Sequence, residues 1–323
     1  MARSTNQNAY GAGHYPLAMK FYIAVTDREW FEYLGRASPL EEVNFWQPTA
    51  GRAFQALPPG GLFLFKLHGP GHRVAGGGIF SHWTRLRVSL AWDAFGIKNG
   101  AASLPEMRSR IERYRRGRSG PHEDYEIGCI LLQRPFFLDP SDRVEIPDWQ
   151  PNIVRGRTYD TDQESGRTLW QELYASLQAR REPVVREVSP GRYGQPTLIA
   201  PRLGQGSFKV MVLDAYRRQC AVTGEKALPV LQAAHIIPFV EGGEHRVDNG
   251  LLLRTDVHIL FDRGYVTVTP DYRFQVSPRL KRDFDNGELY YQFDAKEVWL
   301  PPEPKDRPKK EFLAWHADTV FMG

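Results

Sequence analysis

The stretch from Cys220 to Gly264 constrains this chain more than any other part of it. An apolar run, Leu231-Gln232-Ala233-Ala234-His235, ends on a histidine and is followed by a polar, glycine-rich loop, Glu241-Gly242-Gly243-Glu244. Asn249-Gly250 then opens a second apolar run, Leu251-Leu252-Leu253. A short helix comes next, with His258 and Asp262 four residues apart and Gly264 placed to stop it. Residues four apart share one helix face. The pattern strand, loop, strand, helix therefore gathers His235, Asn249, His258 and Asp262. A histidine and a carboxylate at that spacing have metal-ligand geometry.

In order and spacing, Ala-Ala-His-Ile at 233–236, Asn-Gly-Leu-Leu-Leu-Arg at 249–254 and His-x-Leu-Phe-Asp-x-Gly at 258–264 resemble the HNH nuclease family and its ββα-metal fold. The resemblance implies that His235 is a general base and that Asn249 orients the loop or binds the metal. It also implies that His258 is a metal ligand, with Asp262 where some relatives carry a second one. Many such nucleases have a carboxylate or histidine directly before the base, but this chain has Ala234. Either water fills that position or another group, Asp256 or Asp262, contributes. The chemistry suits the residue types. Imidazole takes a proton from water near neutral pH, and one divalent metal neutralises charge on the phosphoryl and leaving oxygens. Oxygen-rich coordination favours Mg²⁺ or Mn²⁺.

The rest of the sequence sets bounds. At 323 residues, 41% hydrophobic and 25% charged, the chain has globular composition, and its length suggests two domains. No apolar run is long enough to span a bilayer, and Met1–Tyr15 lacks the apolar core of a signal peptide, so a cytoplasmic protein is expected; the resemblance to restriction-type HNH nucleases implies a prokaryotic one. Cys129 and Cys220 are the only cysteines, which excludes a disulfide framework and a cysteine-rich zinc knuckle. A net charge of +4, carried by 32 arginines against 10 lysines, permits a nucleic-acid partner without requiring one. Gly76-Gly77-Gly78 lacks the lysine and spacing of a phosphate-binding loop, so no ATP requirement is expected.

Residues 19–160 read as a strand-rich mixed domain, with strands at Phe21–Val25, Leu62–Leu67 and Ile127–Leu132 and helices at Asp27–Leu34 and Pro105–Arg116. Leu169, Trp170, Leu173 and Leu177 mark an amphipathic helix over 166–181, and Glu182–Ala200 reads as a linker. A second amphipathic helix is expected over Ser207–Arg218, and a hairpin over Tyr265–Val276. His245 reads as a solvated loop residue, whereas Trp315-His316 could pack back on the C-terminal half. Six of the eight tryptophans precede residue 171.

The pieces Phe21–Thr26, Asn44–Pro48, Leu62–Leu67, Gly76–Trp83 and Ile127–Phe137 resemble, in their order, PUA-like domains, the superfamily of EVE, YTH and SRA readers. That resemblance implies a small β-barrel holding a modified base, with Asn44, Trp46, Ser81 and Trp83 as pocket residues. Arg108, Arg110, Arg113, Arg115 and Arg116, together with Arg254, are candidate contacts to the DNA backbone.

The expected fold class is α+β. A PUA-like barrel with flanking helices occupies 1–160, a helix and linker 161–200, and a ββα-metal nuclease domain 201–323. The expected function is modification-dependent endonucleolytic cleavage of double-stranded DNA near a methylated or hydroxymethylated cytosine, by a homodimer using Mg²⁺ or Mn²⁺. The alternatives are an HNH nuclease or nickase indifferent to modification, and a modified-base binder with a decayed nuclease.

Overall fold

A computed structural model describes residues 19–69, 71–115, 120, 123–180 and 203–323. The expected linker Glu182–Ala200 and the side chain of Arg116 lie outside the described residues.

The first half runs β1 (Lys20–Thr26), α1 (Arg28–Ala37), β2 (Glu42–Gln47), β3 (Leu62–Leu67), β4 (Arg73–Arg87), α2 (Val88–Phe95), α3 (Leu104–Glu112), β5 (Glu126–Phe137), β6 (Val144–Glu145), β7 (Gly156–Asp160) and α4 (Glu164–Arg180). Local chemistry starts the helices. The Asp27 carboxylate accepts the Trp30 N–H to cap α1, and Ser103 caps α3 with Pro105 in its first turn. The strands form one sheet in the order β2-β5-β4-β3-β1-β7, with β6 pairing β4. β1 and β3 are parallel, and β1 and β7 antiparallel.

The sheet is open. β2 and β7 stand at opposite edges and do not pair, so the expected barrel is not what forms among the described residues. The physical reason lies in β3, where all six residues are buried. Phe63 and Phe65 face α1, α2 and α3, packing with Trp30, Leu34, Ala91 and Ile111. Leu62 and Leu64 face the other way, toward Leu169, Trp170, Leu173 and Leu177 of α4. A strand apolar on both faces belongs to a sheet covered by helices on both sides. Each fully buried side chain of α4 contributes about 1.5–3 kcal/mol. Within β4, a Cβ on Gly76 would lie 2.3 Å from the Phe136 carbonyl oxygen, and one on Gly77 2.5 Å from that of Phe63. The glycine run therefore admits close backbone approach beside the register shifts of this strand.

The second half contains α5 (Gln205–Ala215), β8 (Leu231–His235), β9 (Gly250–Arg254), α6 (Thr255–Asp262), β10 (Val266–Val268), β11 (Phe274–Val276), α7 (Arg279–Phe284), α8 (Glu288–Tyr291) and α9 (Lys310–Thr319). β8 pairs antiparallel with β9, setting His235 opposite Gly250, and β10 pairs with β11 as the expected hairpin. Phe208, Val212, Leu251, Val257, Phe261 and Leu313 share its core.

α5 joins the two halves. Its Val210 enters the core of the first sheet, while Phe208 and Val212 belong to that of the second half. Glu42 of β2, fully buried, accepts the N–H groups of Gly206 (2.8 Å) and Ser207 (2.9 Å) and pairs with Lys98 (2.9 Å). Gln133 of β5 accepts the Gly204 N–H and donates to the Ser207 hydroxyl. Burial alone would raise the Glu42 carboxyl, but the Lys98 charge and the bonds from Ser207 hold it below its ordinary value. A carboxylate from one half thus caps the leading helix of the other.

Candidate active site

β8 delivers His235 and α6 delivers His258 and Asp262 to one cavity of about 500 Å³, lined also by Phe208, Lys209, Gln232 and Phe239. The His235 ring stacks on Phe208, centroids 3.9 Å apart and planes 15° apart. Its Nε2 lies 2.9 Å from Nδ1 of His245, and among the described residues its Nδ1 has no hydrogen-bond partner. Burial, with the neighbouring imidazoles of His245 and His258, pushes His235 down to about 4. It is therefore neutral at pH 7 and free to accept a proton, and an arriving phosphate's negative charge would strengthen it as a base.

His258 and Asp262 meet as the helical spacing predicts, with Nε2 and Oδ2 3.3 Å apart. On its other side His258 Nδ1 lies 2.7 Å from Oε1 of Gln232. An amide oxygen only accepts, so the proton sits on Nδ1 and the Nε2 lone pair faces the carboxylate. Burial holds His258 below its usual range, with Asp262 opposing, and burial raises Asp262, with His258 opposing. Two lone-pair-bearing atoms facing each other at this distance call for a shared proton or a cation between them. Among the described residues no group of three or more His, Cys, Asp or Glu side chains is arranged to hold a metal. The pair fits a divalent ion as two protein donors, with water and substrate oxygens completing the shell.

Asn249 is buried, and its side chain is fully engaged with its own loop. Oδ1 accepts the Ile237 N–H (2.9 Å), while Nδ2 donates to the carbonyls of Ile237 (3.0 Å) and Glu244 (3.1 Å). Of the two roles its resemblance implied, orienting the loop is the one these bonds perform. Ala234 is buried in the core and Asp256 is held by a forked contact from Arg254 (2.7 and 2.8 Å) with Tyr290 behind it. Neither is among the residues that line the cavity. Arg254 is accordingly tied to Asp256 rather than projecting free.

Residues 220–269 match the family model described as HNH endonuclease. A search of curated proteins finds no match to the chain. The HNH match covers β8, the loop, β9 and α6, the same elements that build the cavity.

Sequence reasoning missed His245, which is hydrogen-bonded to His235 and stacked on Phe239 at 4.8 Å, not merely solvated. The available signal was a second histidine in a loop whose two ends are pinned by the strand pair. His316 does pack back: it is 2% exposed, stacks on Phe261 at 3.6 Å, and bonds to Thr267 and the Phe261 carbonyl.

The expected base pocket looks different. Asn44 and Trp46 are buried, with Asn44 Nδ2 donating to Asn99 Oδ1 (2.9 Å) and the Trp46 indole to the Asn99 carbonyl (3.1 Å). The Ser81 hydroxyl donates to the Leu131 carbonyl at 3.0 Å. Trp83 alone is half-buried, and its indole donates to Gln47 (3.2 Å). These donors are already engaged within the protein, whereas Asn44 Oδ1 is buried with no hydrogen-bond partner among the described residues. The described arginines of the expected phosphate patch are likewise engaged. Arg113 forks onto Glu29, Arg110 pairs with Glu106 and Glu29, Arg108 reaches Glu112 and the Glu123 carbonyl, and Arg115 stacks on Tyr125 at 3.9 Å.

Proposed function

We propose that the protein is a metal-dependent endonuclease that hydrolyses phosphodiester bonds in DNA. The observation that carries this reading is the cavity in which a neutral His235, with a bare Nδ1, faces the same space as the His258–Asp262 pair. His235 takes the proton of the attacking water. His258 and Asp262 would hold a divalent ion, which supplies charge neutralisation at the phosphate and the leaving oxygen. Lys209, at the cavity wall, offers the phosphate a cation. By the HNH resemblance the products carry 5′-phosphate and 3′-hydroxyl ends. One such site cuts one strand, so a duplex break requires two copies or two visits, and a homodimer satisfies that requirement.

Dependence on a modified cytosine enters this proposal through the PUA-like resemblance, and of its pocket candidates Trp83 is the one that is partly exposed. The experiment is nicking of supercoiled plasmid, and of duplexes carrying cytosine, 5-methylcytosine or 5-hydroxymethylcytosine, with Mg²⁺, Mn²⁺ or EDTA. Metal-dependent cutting that disappears in His235→Ala is expected. Cutting that survives EDTA, or wild-type turnover in that variant, overturns the assignment. Equal cutting of all three duplexes removes modification dependence and leaves the nuclease.

A further inference from the structure

We infer that His245 is a positioning residue for His235, accepting the His235 Nε2–H on its own Nδ1 and so keeping Nδ1 of His235 bare toward the cavity. The inference rests on the reading of His235 as a base, and adds to it the group that fixes which ring nitrogen acts.

The geometry has three parts. First, the ring nitrogens Nε2 of His235 and Nδ1 of His245 are 2.9 Å apart, within ordinary hydrogen-bond distance. One proton lies between them, so each direction of the bond fixes both tautomers at once. With His235 as donor, both neutral rings carry their proton on Nε2, and the remaining nitrogen of His235 is a lone pair. With His245 as donor, both carry it on Nδ1, and His235 would present an N–H to the cavity in place of a base. Only the first arrangement serves proton abstraction.

Second, each ring has an aromatic neighbour on one face. Phe208 of α5 stacks against His235 at 3.9 Å, and Phe239 stacks against His245 at 4.8 Å with planes 8° apart. The two imidazoles are thus flanked by two phenyl rings, one from the helix capped by Glu42 and one from the loop itself.

Third, the loop that carries His245 is pinned next to it. Asn249 Nδ2 holds the Glu244 carbonyl, the residue immediately before His245, at 3.1 Å. A Cβ on Gly243 would stand 1.9 Å from the Ile237 carbonyl oxygen, so the chain folds back on itself there as only glycine permits. Asn249, for which the resemblance implied either orienting the loop or binding the metal, reaches the base through this loop. A base oriented by a third group is the general arrangement of such sites, and here the third group is a second imidazole.

The test uses the full chain. Histidine-selective ¹⁵N spectra of the wild type, His245→Asn and His245→Leu report which nitrogen of His235 carries the proton, and steady-state nicking of a plasmid separates kcat from KM. Asparagine keeps an acceptor near the position of Nδ1, whereas leucine removes it. The expected result is an Nε2–H tautomer in the wild type and in His245→Asn, with Nδ1–H appearing in His245→Leu. In that variant kcat falls on the order of 10²-fold with KM unchanged. His245→Asn keeps kcat within about tenfold of wild type. An unchanged His235 tautomer in His245→Leu, or a loss of kcat in His245→Asn as large as in leucine, overturns the inference. Were the wild type to cut no DNA with any metal, the nuclease reading would fall, and the spectra would still decide where the proton sits.

Discussion

Glu42→Gln should loosen the joint between the two halves of the protein. In the wild type the buried carboxylate accepts two backbone N–H groups at the start of α5 and pairs with Lys98, all within 2.9 Å. Glutamine keeps the shape but has a single acceptor oxygen, and its NH₂ must face a donor. One buried N–H then loses its partner, at about 1–3 kcal/mol. Lys98 loses its counter-charge, and the helix terminus loses an anion worth up to about 2 kcal/mol in a buried setting. Together these give about 3 kcal/mol, at the lower edge of the roughly 3–5 kcal/mol seen when one partner of a buried pair is removed. Amide hydrogen exchange at Gly206 and Ser207 should accelerate by about two orders of magnitude, since about 1.4 kcal/mol corresponds to each factor of ten.

The pH dependence of this difference has a definite sign. The folded-state value of Glu42 lies below its ordinary one, so the contribution is complete above the usual carboxylate range and is lost as pH falls through the lower folded value. The gap between wild type and variant should therefore hold from neutral pH down to about 4.5 and close only below it. Urea unfolding by tryptophan emission, alongside hydrogen exchange, makes the measurement. A variant with wild-type protection at Gly206 and Ser207, and stability within about 0.5 kcal/mol of wild type, would refute the account of the joint.

Three further outcomes are expected. Asn249→Ala leaves the Ile237 N–H and the Ile237 and Glu244 carbonyls without their side-chain partner, at about 1–3 kcal/mol per group that remains buried. Exchange at the Ile237 amide should rise and kcat should fall, while the β10–β11 hairpin keeps its protection; unchanged exchange at Ile237 would contradict the stapling role. His316, pushed down to about 4 by burial, stays neutral in the folded state over a range where the unfolded chain, titrating near 6.5, takes up the second, charging proton. Its contribution is complete above about 6.5 and is lost as pH falls through about 4, a change of roughly 3 kcal/mol. His316→Gln should flatten the loss of stability measured by urea unfolding between pH 7 and 4, and equal slopes would count against the assignment. Trp46→Ala should cost about 3–5 kcal/mol as a buried aromatic, and Trp83→Ala distinctly less. A Trp46→Ala protein with unchanged Tm that nonetheless loses discrimination between modified and plain cytosine would show that Trp46 lines a pocket rather than a core.

What the sequence makes legible here is what depends on near neighbours. The strand ending at His235, the Asn-Gly start of β9 and the His258–Asp262 spacing each follow from a few consecutive residues, and the structure forms them so. Directions are harder. Sequence names the atoms of Asn249 but not where they point, and three bonds within its loop decide that. The arginine-rich segment after Ser103 reads as a phosphate patch, but its partners within the protein are not legible from it; Glu29, on a distant helix, pairs with Arg113 and Arg110. The open sheet had a visible sign in Leu62–Leu67, where four consecutive apolar residues, Leu62 to Phe65, leave neither face polar. Such a run demands cover on both faces, and the helices that provide it come from before and after it in the chain.

The place of β1 in its sheet bears on how the protein is made. β1 lies between β3 and β7, pairing Phe21 with Leu62 on one side and with Tyr159 on the other, more than a hundred residues further along the chain. During synthesis, β1, the first of the described strands in the chain, is thus among the last of them to acquire both neighbours. Until β7 and α4 arrive, it keeps an apolar edge open to any other strand, and closing so long a loop slows the final step. A chain interrupted before Gly156 would hold this edge bare, whereas one interrupted after α4 would have it covered.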